Sequence, residues 1–327
     1  MNKVIYFSRN KKAGFSIQKV FKTIISHSNN TGNLSFEVPC YRVNITSILK
    51  NLKFVYSNRD KNKVHHITGD IHYCILALIT CKTVLTVHDM VLLKKTKNIF
   101  KKIFYYIFWY YLPIKLATKV TCISMETKKD IQKYVKRDDI TVITNPVSDD
   151  FNRTFKKFNE KMPVILHIGT GWNKNLTNVI KSLESIDCSL RIIGKLRESD
   201  KELLKKIKVN YTNVFGISDK EIIEEYKSAD IISFPSIFEG FGMPIIEGQA
   251  IGRVVLTSNL SPMKDIGNTS VHLVEPNSIE SIKNGFLKLI NNKAYRESLI
   301  YKGLENVNKY NSNNIVDQYN IVYRDLK

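Results

Sequence analysis

A chain of 327 residues is too long for one ordinary hydrophobic core, so two domains are expected. At 43% hydrophobic and 24% charged residues it is neither disordered nor a simple repeat array. The net charge of +20 is lopsided: residues 1–150 hold 25 Lys+Arg against 10 Asp+Glu, and residues 151–327 hold 25 against 20. The first half therefore expects an anionic neighbour, nucleic acid or an acidic membrane, unless the charge serves only solubility.

The N-terminus, MNKVIYFSRNKK, carries an apolar run of only four residues and reads as a first strand, not a signal peptide. Further strands are predicted at SFEV (35–38), VHHI (64–67), TVLTV (83–87), VTCIS (120–124) and TVI (141–143). Between them lie helical patterns such as SIQKVFKTII, with Ser16 as N-cap, and METKKDIQKYV. The run IFYYIFWYYLPI (103–114) is uncharged but too short to span a bilayer. NPVSDDFNRTFKKFNEKMP (145–163) is polar and aperiodic, and is expected to link the domains. The second half repeats the plan with VILHI (164–168), LRII (190–193), NVF (213–215), IISF (231–234), VVLT (254–257) and HLV (272–274). Its helical patterns include NLTNVIKSLESI and DKEIIEEYKSA. Helices follow from 278 onward, and the last, NNIVDQYNIVYRDL, is long enough to return to the first domain. The fold class is α/β: two Rossmann-like doubly wound domains, 1–150 with the returning helix 311–327, and 151–310. Five cysteines (Cys40, Cys74, Cys81, Cys122, Cys188) show no metal-ligand spacing, and an odd number fits a reduced, cytoplasmic compartment.

In such sheets ligands bind beyond the carboxyl ends of the strands. The loops there hold Gly14, His88, Gly169 to Lys174, Gly194, Lys195, and a bend between Glu239 and Glu247. In that bend, Gly240 and Gly242 admit close approach of a ligand, and Pro244 suits a helix's first turn. The N–H groups of that helix would favour hydroxyl or phosphate oxygens. For two isolated glutamates, a turn with one dipole-compensating acid and one solvated acid would be the simpler explanation.

PSIFEGFGMPIIEGQAIGRVVLTS resembles, nearly position for position, the signature of glycosyltransferase family 4, retaining enzymes of the GT-B architecture. HIGTGWNKNLTNVIKSL, RIIGK, FGISDKEIIEEYKSAD and SNLSPMKDIGNTSVHLVEPNSIESI extend the likeness over about 164–290. TVHDM, VTCISMETKKDI and VITNPV carry it more thinly through the first half. The resemblance implies two domains facing a central cleft and transfer of a sugar from a nucleotide-sugar donor. It implies Glu239 and His88 as the catalytic pair, with His88 contacting donor sugar and β-phosphate. It also implies Glu247 on the nucleotide ribose, Lys174 on the diphosphate, and the backbone of Gly240, Phe241 and Gly242 along the sugar. Gly14, Gly169, Gly194 and Lys195 complete the donor-binding set. Two departures stand out: KAGFS has one glycine where many members have two, and Thr170 and Asn173 occupy a region where many carry arginine.

No Asp-x-Asp occurs, so no metal is expected and no cofactor beyond the donor itself. Residues 94–119 mix seven lysines with aromatic side chains, which fits either an anionic membrane interface or a core helix with a lysine-rich end. The membrane alternative suggests a glycan or undecaprenyl-linked acceptor, bacterial surface polysaccharide synthesis (O-antigen or capsule), and a peripheral place on the inner membrane face. Two other functions stay open. One is a nucleotide-sugar epimerase of the same architecture. The other is a basic nucleic-acid-binding protein, although no nucleic-acid module is recognisable.

Overall fold

The structure is a computed structural model that describes residues 3–14, 16–28 and 32–326. It divides into two units, Met1–Pro146 with Asn311–Lys327, and Val147–Tyr310. In the first unit six parallel strands, β1 (Val4–Ser8), β2 (Leu34–Glu37), β3 (Val64–Ile67), β4 (Lys82–Val87), β5 (Lys119–Cys122) and β6 (Ile140–Val142), lie in the order β2-β1-β3-β4-β5-β6. The second holds β7 (Val164–Ile168), β8 (Ser189–Ile193), β9 (Tyr211–Val214), β10 (Ile231–Phe234), β11 (Val254–Ser258) and β12 (His272–Val274), ordered β12-β11-β10-β7-β8-β9. All pairings are parallel, and the second order is that of a Rossmann fold. Each predicted strand is present, shifted by two residues at most.

Both faces of the sheets are covered, as parallel sheets demand: every residue of β3, β10 and β11 is buried, the histidines, serines and threonine among them included. One face of the first sheet packs Ile5, Phe7, Ile67, Leu85 and Val120 against Val55, Ile75, Leu78 and Trp109. The helix Ser312–Arg324 belongs to this unit, and its Ile315, Tyr319, Val322 and Tyr323 are buried. Tyr319 and Tyr323 close on Phe21 and His66, whose Nδ1 lies 2.7 Å from the Tyr323 hydroxyl. The helix Ser16–Ser26 starts at Ser16, so Ser16 is its first residue; the capping position, 15, lies outside the described residues.

The expected linker 145–163 is not a free tether. The division falls at Pro146, and the rest is strapped to the second unit. Buried Asp230, at the head of β10, holds Lys156 and accepts from the Val164 N–H at 2.8 Å. Arg253, also buried, donates to the Thr154 carbonyl at 2.9 Å.

Residues 94–119 form helices Val91–Lys95, Ile99–Phe104 and Leu112–Leu116 around a π-helical segment, Tyr105–Tyr111. Its two halves differ. Trp109, Tyr110 and Ile114 are core residues, whereas Ile99, Phe100 and Ile103 are 58%, 79% and 47% exposed. Among the described residues no helix is long and apolar enough to cross a membrane. Lys94 pairs at 2.5 Å with Asp130, a buried carboxylate that Lys133 also holds.

Gly248 sits in the helix Met243–Ile251, where a Cβ would lie 2.8 Å from Ile232 Cγ1 and 3.1 Å from Val255 Cγ2. Alanine gains roughly 1 kcal/mol of helix propensity but must push the helix off the sheet. Overpacking outweighs the gain: Gly248→Ala is expected to lose about 1–3 kcal/mol in urea unfolding. A variant more stable than the parent would show that the helix shifts without cost.

Candidate active site

In each sheet the strand order reverses once, between β1 and β3 in the first unit and between β7 and β10 in the second. Loops leaving the carboxyl ends there diverge and open a crevice for a ligand. The predicted residues fall on these loops and their neighbours.

In the second unit, the loop after β7 (169–175) and the loop after β10 (235–242) are laced together. Asn173 accepts from the Ile237 N–H through its carbonyl at 2.8 Å, and its side-chain amide donates to the Phe238 carbonyl at 2.9 Å. Asn175, in the left-handed region at φ 64°, donates to the Pro235 carbonyl at 3.0 Å. Glu239 Oε1 then accepts from Lys174 Nζ at 2.7 Å and Asn173 Nδ2 at 3.0 Å. Lys174 also lies over the Phe234 ring, its Nζ 4.6 Å from the centroid. Gly169, at φ +92°, makes room for it, since a Cβ there would come within 3.0 Å of the Lys174 chain. Sequence reasoning brought Lys174 and Glu239 to one ligand, and the structure brings them to each other.

Gly242 precedes the helix Met243–Ile251, with Pro244 in its first turn. Seven of its nine residues are buried, so Glu247 does not sit on a solvated helix face. Its Oε2 accepts a short hydrogen bond from the buried Tyr226 hydroxyl, on the helix Asp219–Ser228. Tyr226 is held edge-on by Phe151, and burial, with the Glu247 charge, keeps the phenol protonated by raising its pKa well above the ordinary value. Phe241 turns its ring into the interior against Tyr310, so only its backbone can line a ligand. Gly194 and Lys195 follow β8, where the Lys195 carbonyl accepts from Thr170 Oγ1 at 2.7 Å. Asn173, Asn175 and Tyr226 were not predicted. Their roles depend on which loops become neighbours, and only the unusual pairing of Asn173 with Asn175 could have hinted at them.

In the first unit Gly14 follows β1 and His88 follows β4. A Cβ on Gly14 would lie 2.8 Å from Arg9 Nη2, so an arginine covers the single glycine of this loop. His88 is 8% exposed, and its Nε2 lies 2.9 Å from the Thr68 carbonyl. A carbonyl only accepts, so Nε2 carries the hydrogen. Burial lowers the His88 pKa to about 4, and the ring is neutral at pH 7 with Nδ1 an acceptor. Asp70, after β3, accepts from Trp109 Nε1 at 2.8 Å, and burial raises its pKa. Among the described residues no three His, Cys, Asp or Glu side chains gather as a metal site requires.

Burial likewise lowers His66 and His167 to about 3 and His72 to about 4. The unfolded chain takes protons first below pH 6.5, so stability is complete above that value and falls toward pH 4. At pH 5 each of these histidines withdraws about 2 kcal/mol. The first unit holds three of them and the second one, and Asp70 offsets part of the loss. Between pH 7 and pH 5 calorimetry should show the first unit's transition falling further than the second's; equal shifts, or none, would contradict this.

The family described as Glycosyl transferases group 1 matches residues 148–306, and Glycosyltransferase Family 4 matches residues 48–151. An uncharacterised glycosyltransferase of Methanocaldococcus jannaschii is 26% identical, over 94% of this chain and 86% of its own. The O-antigen chain mannosyltransferase RfbU of Salmonella typhimurium is 27% identical, over 60% of this chain and 58% of its own. Among solved structures, Anabaena HepE in complex with UDP and glucose superposes with a TM-score of 0.81 at 10% identity, covering 99% of this chain and 100% of that one. Parallel six-stranded sheets in both units, and two family models that together span residues 48–306, make this chain a glycosyltransferase of family 4, group 1, with the GT-B fold.

Proposed function

We propose that the protein transfers a hexose from a nucleotide sugar, with retention of configuration, to a glycan acceptor in bacterial surface polysaccharide synthesis. The observation that carries this reading is the Lys174–Asn173–Glu239 knot, with Glu247 held separately by Tyr226. Glu239 accepts from donor-sugar hydroxyls, while Glu247 accepts from the ribose. An arriving diphosphate draws Lys174 from Glu239, freeing carboxylate lone pairs for the sugar as it neutralises the leaving group. In the transfer the acceptor oxygen bonds the anomeric carbon and the bond to the donor phosphate breaks. The electron pair leaves with the nucleoside diphosphate, and a phosphate oxygen takes the acceptor proton. His88, neutral, accepts a sugar hydroxyl at Nδ1. The polysaccharide context is drawn from relatives such as RfbU and the Staphylococcus aureus capsular glycosyltransferase CapM. The reading of a lipid-linked acceptor and a membrane-surface location is supported by the lysines around the exposed Ile99, Phe100 and Ile103.

With charge on the diphosphate met by Lys174 and backbone N–H groups, binding and transfer need no metal. Thermal-shift screening of UDP, GDP and ADP, with their sugars, tests both points. One nucleotide should raise the midpoint, by an amount that grows with concentration and survives EDTA. Stabilisation that vanishes in chelator and returns with Mg²⁺ would overturn the metal-free reading. No shift with any nucleotide would overturn the donor reading.

A further inference from the structure

One aromatic feature of the second unit has no part in donor binding as set out above. Trp172 is 50% exposed, and its ring lies nearly parallel to that of Phe238, 14° between planes and 6.3 Å between centroids. This is not a loose surface side chain. Its neighbour Asn173 is fixed by hydrogen bonds to Ile237, Phe238 and Glu239, and Lys174 is paired with Glu239. The lacing that pairs Glu239 with Asn173 and Lys174 also anchors the stretch of backbone that carries this half-exposed indole. An indole half in water keeps apolar area that a ligand can bury.

We propose that Trp172 and Phe238 form a stacking platform for a pyranose ring of the acceptor glycan. A pyranose has an apolar C–H face that suits a flat ring, and a rim of hydroxyls that suits the adjacent carboxylate and amide. A nucleobase would also stack on an aromatic ring. The nucleoside, however, is placed at Glu247, which is held from a different helix by Tyr226, whereas both residues after Trp172 bond Glu239. The platform thus stands at the sugar end of the donor, where an acceptor must come. This assignment rests on the donor reading above for which end is which.

The chain's two tryptophans make the test direct. Trp109 is 2% exposed, so acrylamide quenching of intrinsic fluorescence reports Trp172. The probes are methyl and octyl glycosides of mannose, glucose and N-acetylglucosamine, and UDP and GDP alone. At least one glycoside should shield Trp172, cutting the quenching slope by about half, while neither nucleotide does so. With that glycoside as acceptor, Trp172→Ala should raise KM at least about tenfold, the scale of one lost aromatic stack. Its kcat and the nucleotide thermal shift should stay near the parent's, and Trp172→Phe should restore most of the KM. Shielding by a nucleotide alone would make the pair a base platform and overturn the proposal. So would a panel in which no glycoside shields, or an unchanged KM in Trp172→Ala. The outcome is separable from the donor reading, because quenching by glycosides needs no turnover and the nucleotide shift needs no Trp172.

Discussion

Glu239→Gln should cut turnover at least ~100-fold, a loss of about 2.7 kcal/mol of transition-state binding. The substitution keeps shape and hydrogen-bonding size but removes the charge that Lys174 meets at 2.7 Å. Both partners are partly exposed, 23% and 15%, so losing the pair should cost the fold no more than about 1 kcal/mol. The two readouts should part company. With Glu239 neutral, Lys174 has no carboxylate to leave, and nucleoside diphosphate affinity should hold or rise. Glu247→Gln should do the opposite, weakening the nucleotide more than the chemistry. A folded Glu239→Gln protein with near-parental kcat would end the assignment. Lost nucleotide binding with kcat intact would exchange the two glutamates' roles.

The second large effect concerns the first unit's surface. Changing Lys95, Lys97, Lys101 and Lys102 together to Gln should weaken binding to phosphatidylglycerol-rich vesicles by about three powers of ten, at roughly 1 kcal/mol per charge. Lys94 is left in place because it neutralises the buried Asp130, and its loss would test stability instead. Phe100, 79% exposed, would supply the apolar contact once the charges had drawn the surface to the vesicle. Activity on a soluble glycoside acceptor should change far less. Vesicle binding equal to the parent's would leave these lysines as a solvated surface only. Equal losses on vesicles and soluble acceptor would move them into the acceptor site.

Strand positions were legible because the signal is local: VHHI, VILHI, IISF and HLV are each bounded as predicted. Buried parallel strands need unbroken apolar runs, and such runs are visible in one dimension. Loop positions were legible where composition and backbone coincide: Lys174 lies in the segment after β7, and Glu239 and Gly242 in the segment after β10, where the sequence placed them. What escaped notice was side-chain pairing across the chain. Asn173 meets Phe238 from 65 residues away, Tyr226 meets Glu247 from 21, and Lys94 meets Asp130 from 36. Such contacts follow from which strands become neighbours, and periodicity says nothing of that. The segment 94–119 was ambiguous for a related reason. Its halves have opposite fates, and the π-helical turn that re-aims Trp109 and Tyr110 inward leaves no mark in composition.

The return of Ser312–Arg324 to the first unit has a consequence for synthesis on the ribosome. That unit's sheet is complete once Pro146 has emerged, yet Phe21 and His66 still lack the tyrosines that cover them. The whole second unit must be translated first, which at about 5–20 residues per second takes on the order of ten to thirty seconds. Throughout that interval the nascent first unit presents an uncapped apolar face to solvent, a natural occasion for a chaperone. The second unit is contiguous and meets no such delay. The half that begins folding first is therefore the half that finishes last.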